Sequence, residues 1–167
     1  VLTHLLNANG FIESELTLTR LAADRFYVAS AAVAQLHDYD QLAWRLRPDE
    51  RVTITDVTDD YGVLVLAGPR SRDVLAPLAA TNLSTANLPW MSALETTVAG
   101  VSGVRLLRVT YVGELGYELH VPMGDMPQVF DALRAAGMAY DMRLFGTLAM
   151  NSLRMEKAYR GWGGELT

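Results

Sequence analysis

Strict alternation over residues 13–20, Glu-Ser-Glu-Leu-Thr-Leu-Thr-Arg, puts Glu13, Glu15, Thr17 and Thr19 on one face and Leu16 and Leu18 on the other. That pattern predicts a strand with one polar face. Residues 25–30, Arg-Phe-Tyr-Val-Ala-Ser, carry the aromatic and β-branched types that suit a half-buried pleat, and a short turn at Ala23-Asp24 joins the two runs as a hairpin. Ser30 is placed to cap a helix over 31–46, which Pro48-Asp49 ends. Strands over 52–57 and 61–67 flank the turn residues Asp59-Asp60. Pro69 then opens a helix over 70–79, because its missing N–H has no helical partner in a first turn.

Residues 81–103 are broken by Asn, Pro, Ser and Gly and predict loop, with one short strand at 95–99. Beyond them, 104–111 and 117–121 predict strands joined by Val112-Gly113-Glu114-Leu115-Gly116, whose glycines permit the positive φ angles of a tight connection. In the simplest register Tyr111 faces Tyr117 and Thr110 faces Glu118, so Arg108, Glu118 and His120 share the polar face. A helix over 125–137 starts near Gly124-Asp125 and closes at Gly137, and a last helix covers 145–158. With no internal repeat or linker, the order of elements predicts one α+β unit of antiparallel sheets with covering helices.

Composition narrows the function classes. The chain has 167 residues, half of them hydrophobic, which is enough to bury a sizeable core. Fourteen Lys+Arg against 19 Asp+Glu give a formal charge of −5 with no basic tract, which argues against nucleic acid as a partner. Apolar runs such as Val63-Leu64-Val65-Leu66-Ala67 fall far short of the ~20 residues of a membrane span, so no membrane is expected either. The absence of Cys excludes a disulfide framework, a thiolate metal site and a cysteine nucleophile; it fits a reducing compartment, with the cytoplasm as default. A chain that opens on Val1 and closes just after a glycine-rich stretch reads as an internal fragment of something longer.

Three places could carry chemistry. On the last helix Phe145, Leu148, Ala149, Ser152, Leu153 and Glu156 fall on one face at about 100° per residue, so Glu156 is expected inside an apolar stripe. A carboxylate there must be paired, hydrogen-bonded or protonated, and a structural ion pair is the preferred explanation. Arg154 and Lys157, on the opposite face, make either a solvated surface or an anion contact. Glu118 is either half of a cross-strand ion pair or a carboxylate aimed at a ligand with paired N–H donors, since an ionised Glu accepts two geometrically fixed hydrogen bonds. His4, His37 and His120 share no ligand spacing, so no metal is predicted. Gly161-Trp162-Gly163-Gly164 follows a helix and lacks nucleotide-loop spacing, and neither Ser71 nor Ser152 sits in a nucleophile elbow.

Four stretches in order carry a resemblance. They are Leu6-Asn7-Ala8-Asn9-Gly10-Phe11-Ile12-Glu13-Ser14-Glu15-Leu16-Thr17, Gly68-Pro69-Arg70-Ser71-Arg72, Arg108-Val109-Thr110-Tyr111-Val112-Gly113-Glu114-Leu115-Gly116-Tyr117-Glu118-Leu119, and Asn151-Ser152-Leu153-Arg154-Met155-Glu156-Lys157-Ala158-Tyr159-Arg160-Gly161-Trp162-Gly163. Together they resemble the tetrahydrofolate-binding aminomethyltransferase module of the glycine cleavage T-protein. The Glu156–Gly163 stretch favours the version fused behind a flavin domain in dimethylglycine and sarcosine dehydrogenases. The resemblance covers nearly all of the chain and the central part of the family's folate-binding domain; the flavin domain and the C-terminal barrel lie outside it.

What the resemblance implies is specific. The fold is the aminomethyltransferase folate-binding fold. Glu15 falls where the family has an acidic residue, usually Asp, that assists one-carbon transfer beside the folate nitrogens; the extra methylene shifts the carboxylate by about 1 Å, a displacement that matters at a reacting centre. Glu118 matches the glutamate that receives the pterin 2-amino and N3–H donors. Tyr111 matches an aromatic of the pterin pocket, and Arg154 the arginine of the Ser-Leu-Arg stretch. Tetrahydrofolate is the implied cofactor, with FAD confined to the parent enzyme's other domain. The implied partners are folate and the iminium or one-carbon unit derived from a methylated glycine, captured as 5,10-methylenetetrahydrofolate. The alternatives are a glycine cleavage aminomethyltransferase proper, or a folate-binding or structural module without transfer activity.

Overall fold

The computed structural model describes residues 1–166, which divide into two compact units where the sequence pattern predicts one. Val1–Val57 and the described residues from Arg160 onward form the first, and Thr58–Tyr159 form the second. No helix among the described residues is long and apolar enough to cross a membrane.

The first unit is built on three antiparallel strands, β1 (Leu2–Leu6), β2 (Ile12–Arg20) and β3 (Phe26–Ser30), in that spatial order. The hairpin of β2 and β3 is the one the alternation predicts, with Leu16 opposite Ser30 and Thr17 opposite Ala29. β1 is additional. It reaches β2 through a turn in which the Asn7 side-chain oxygen accepts the N–H groups of Asn9 and Phe11, at 2.9 and 3.1 Å, mimicking a backbone partner. The predicted helix over 31–46 is shorter: a 3-10 turn at Ala32–Ala34 leads into α1 (Gln35–Ala43), and Ser30 ends a strand instead of capping a helix. Residues 52–57 are not a strand. Their alternation is real, yet they pair with no described strand, and an unpaired extended run leaves its ladder groups to solvent.

In the second unit β4 (Tyr61–Ala67), β5 (Ala93–Val98), β6 (Val101–Leu107) and β7 (Gly116–Pro122) form an antiparallel sheet in the order β4-β7-β6-β5. Tyr117, Leu119 and Val121 of β7 belong to one apolar cluster with Val74 and Leu75 of α2 (Ser71–Leu75) and with Val129 and Leu133 of α3 (Met126–Gly137). The helices therefore cover one face of the sheet, and Glu118 and His120 alternate onto the other. Gly62 of β4 lies so close to Met126 that an added Cβ would sit 1.6 Å from its sulfur, so a side chain there would force Met126 to move. α2 covers only half of the predicted 70–79.

Two expectations fail here with consequences for the site. β6 ends at Leu107, not 111, because residue 108 turns to the 88–92 segment. The Arg108 N–H bonds Ser92, its carbonyl accepts from Met91, and its guanidinium donates to the Leu88 carbonyl at 2.8 Å. Leu107 thus faces Glu118 and Arg105 faces His120. The register is displaced by 110 − 107 = 3 residues from the simplest hairpin, an odd number, so Arg105 replaces Arg108 on the polar face. The second failure is the last helix, α4 (Thr147–Glu156), which has no buried residue: Leu148 is 87% exposed and Glu156 is exposed. The predicted buried carboxylate is a solvated one.

Candidate functional site

Glu118 and His120 sit two residues apart on β7, hence on the same face whatever the register. The His120 Nε2 lies 3.3 Å from Glu118 Oε2, the histidine almost fully buried and the carboxylate about a third exposed, at 30%. Their neighbours on β4 are Val63 and Val65, and on β6 Arg105 and Leu107. Arg105, the arginine on this face, packs over the Tyr61 ring at 4.2 Å and reaches Glu95 at 3.7 Å. Glu118 is therefore a partly exposed acceptor whose polar contact is with His120 on its own strand, where a cross-strand ion pair was the alternative expectation.

Tyr111 lies in the 108–115 loop, which the structure ties down from three sides. At its C-terminal end the Leu115 carbonyl accepts both the Gly68 N–H at 2.8 Å and the Ser71 hydroxyl at 3.1 Å. Within it, the Tyr111 ring stacks on Tyr159 with centroids 6.4 Å apart and planes 14° from parallel. Arg154 donates to the Tyr159 carbonyl at 2.7 Å, so the guanidinium secures the chain just past α4 that presents that ring. Lys157 completes the contact, 3.9 Å from Glu114 and covering Gly113, whose φ of +77° and missing Cβ both suit glycine. Tyr111 and Arg154 are thus linked through Tyr159, while Glu118 stands on the adjoining strand.

In the first unit Glu15 of β2 faces His4 of β1 directly across the ladder, with Nε2 to Oε2 at 3.2 Å and both side chains partly exposed. Sequence reasoning placed Glu15 on the correct strand but missed its partner, because β1 is short and its Leu5-Leu6 pair breaks the alternation that signals a strand. It also missed a polar chain on the next residues. Buried Ser14 donates to buried Asp38 at 2.9 Å, Asp38 meets His37 Nδ1 at 3.1 Å, and the other ring nitrogen approaches Glu13 at 3.7 Å. Glu13 in turn accepts from the Asn7 side chain at 2.9 Å. Among the described residues no group of His, Asp and Glu is arranged to hold a metal ion.

Residues 1–167 match the family model described as the GCVT N-terminal domain. Human mitochondrial dimethylglycine dehydrogenase is 34% identical over 169 residues, covering 99% of this chain and 19% of its own length. An aminomethyltransferase from Saccharopolyspora erythraea is 33% identical over 165 residues, 99% of this chain and 44% of its own. The chain thus spans about a fifth of the dehydrogenase and under half of the transferase. Among solved structures, a heterotetrameric sarcosine oxidase from Corynebacterium sp. U-96, in complex with pyrrole 2-carboxylate, superposes with a TM-score of 0.63 over 78% of this chain and 64% of that one. At 21% identity that likeness speaks to the fold, which is the aminomethyltransferase type the four motifs resemble.

Proposed function

From the premise that this chain belongs to the GCVT N-terminal domain family, we propose that it is the tetrahydrofolate-binding module of a dimethylglycine or sarcosine dehydrogenase-like enzyme. It supplies the central part of the folate site and takes up the one-carbon unit released by N-demethylation. The observation that carries this reading is Glu118: a carboxylate presented on a central strand, one oxygen bonded to His120, with acceptor capacity left over. An ionised carboxylate has about four lone-pair sites, so one imidazole N–H leaves room for two ligand donors in parallel. A pterin offers that pair in its 2-amino group and ring N3–H.

The remaining roles follow from what each side chain can do. Tyr111, backed by Tyr159, supplies a flat, stiffly held aromatic surface for a planar heterocycle. Arg154 acts behind it, keeping Tyr159 in place. Glu15, oriented by His4, is a carboxylate able to hold or pass the proton of a reacting amine. Tetrahydrofolate, when bound, supplies the two nitrogens that carry the one-carbon unit, and 5,10-methylenetetrahydrofolate is the product. FAD belongs to the oxidising domain of such an enzyme and has no role for these residues.

A second reading, a module that binds folate without transferring, is favoured by one observation: Glu15 is a residue longer-armed than the aspartate the resemblance implies, and His4 holds its carboxylate to β1. An anaerobic calorimetric titration of the full chain with tetrahydrofolate tests the shared part of both readings. Saturable one-to-one binding supports them; no heat and no competition would overturn them. Formation of methylenetetrahydrofolate during amine oxidation separates the two.

A further inference from the structure

We propose that His120 is a positioning residue for the ligand-binding carboxylate of Glu118, an inference that rests on the folate reading and deepens it. His120 is 2% exposed, although it lies on the sheet face away from the apolar cluster, where its β4 neighbours Val63 and Val65 are 48% and 44% exposed. A strand position of this kind favours a β-branched or aromatic side chain, and a buried polar ring there must be satisfied by hydrogen bonds. Its Nε2 reaches Glu118 Oε2 at 3.3 Å.

The choice of partner matters. An arginine opposite Glu118 could engage both carboxylate oxygens at once and neutralise them, as planar guanidinium forks do. Arg105, the cation on this face, is directed instead to the Tyr61 ring and to Glu95. The residue across from Glu118 on β6 is Leu107, which offers no donor. A neutral imidazole with its proton on Nε2 donates a single bond to one oxygen. It fixes the carboxylate's rotation and leaves the negative charge and the second oxygen for a ligand.

Asparagine and glutamine test this cleanly, since their amides stand near the positions of Nδ1 and Nε2 respectively, and only glutamine reaches Glu118. Tetrahydrofolate affinity, measured anaerobically on the full chain, should fall about tenfold in His120→Asn and stay within about threefold of wild type in His120→Gln, the scale of one hydrogen bond to a charged group. For the 2-desamino-2-methyl analogue of tetrahydrofolate, which keeps N3–H but lacks the 2-amino donor of the pair that Glu118 accepts, the asparagine penalty should shrink. A merely structural histidine would instead give equal losses in both variants, or the same penalty with the analogue; either overturns the proposal. Nitrogen NMR of wild type needs no variant: a neutral ring protonated on Nε2 is expected, and one protonated on Nδ1 overturns it. Wild-type chain that binds no folate at all would sink the folate reading and this inference together, whereas binding with indifferent variants sinks this inference alone.

Discussion

Glu118→Gln separates binding from folding at the centre of the site. The substituted amide has the same shape, and its carbonyl can still accept from His120 at the 3.3 Å position, so the contact that holds the side chain survives. The side chain is 30% exposed and faces Val65 and Leu107, neither of which depends on its charge. Folding stability should therefore move by no more than about 1 kcal/mol, the difference between a charge-assisted and a neutral acceptor for His120. A ligand feels the change differently. Of its two N–H donors, one now meets an NH2 group and the other a neutral oxygen, so at least one charge-assisted bond worth about 1.5–3 kcal/mol is lost. That corresponds to a rise in Kd of roughly tenfold to 150-fold. Anaerobic calorimetry with tetrahydrofolate reads the affinity, and a urea titration on the same preparation reads the stability. Binding within about threefold of wild type, where a lost charged hydrogen bond predicts at least tenfold, would refute the reasoning. So would a fall in affinity that merely tracks a fall in the unfolding midpoint.

Three further outcomes are expected. Gly113→Ala, which forces a Cβ to 2.2 Å from Lys157 Cγ at a φ of +77°, should destabilise by about 1–3 kcal/mol in urea and weaken the tyrosine near-UV signal of the Tyr111–Tyr159 stack; an unchanged midpoint would mean that Lys157 yields and the turn tolerates alanine. Ser14→Ala removes the hydroxyl that donates to buried Asp38 at 2.9 Å and should cost about 1–3 kcal/mol, whereas a neutral result would show that water or His37 replaces it. Glu15→Gln in the amine-oxidising enzyme should cut methylenetetrahydrofolate formation while amine oxidation continues; equal loss of both activities would remove Glu15 from the transfer step.

The legible parts of the fold are those in which one local pattern decides. β2 follows from alternation, β3 from its aromatic and β-branched residues, β4 from the run beyond the Asp59-Asp60 turn, and α3 from its start near Gly124-Asp125 and its close at Gly137. The parts that failed depend on a competing partner. Nothing local to Arg108 reveals that its backbone and guanidinium go to residues 88–92, and the observed β6–β7 register lies three residues from the simplest hairpin. Residues 52–57 alternate too but pair with no strand among the described residues. The stripe on α4 has the right period, yet the helix buries none of it. The site divides the same way. Glu118 and His120 share a face by parity along one strand, which survives any register error, whereas the identity of the arginine beside them changed from Arg108 to Arg105 because it depends on pairing. His4 was missed as the partner of Glu15 for the same reason: a cross-strand neighbour is visible only once both strands are known.

The separated motifs of the second unit have a common physical purpose. Gly68 and Ser71 both hold the Leu115 carbonyl, and Arg72 donates to the hydroxyl of buried Tyr117 at 3.1 Å. Some eighty residues after Arg72, Arg154 holds the Tyr159 carbonyl, Tyr159 backs Tyr111, and Lys157 packs on Gly113. Each of these contacts lands on the 108–118 stretch or on the side chain that supports it. A loop of that length with two glycines would otherwise sample many conformations, because glycine restricts the backbone least. Fixing it from both ends places Tyr111 before any ligand arrives, which lowers the ordering cost of binding. If Tyr111 meets the ligand as proposed, Arg154 acts on it through Tyr159, and its substitution is expected to resemble loss of the aromatic surface more than loss of a direct charge contact. Glu118 needs no such scaffold, since β7 is a central strand paired on both sides and only the rotation of its carboxylate is left to be set.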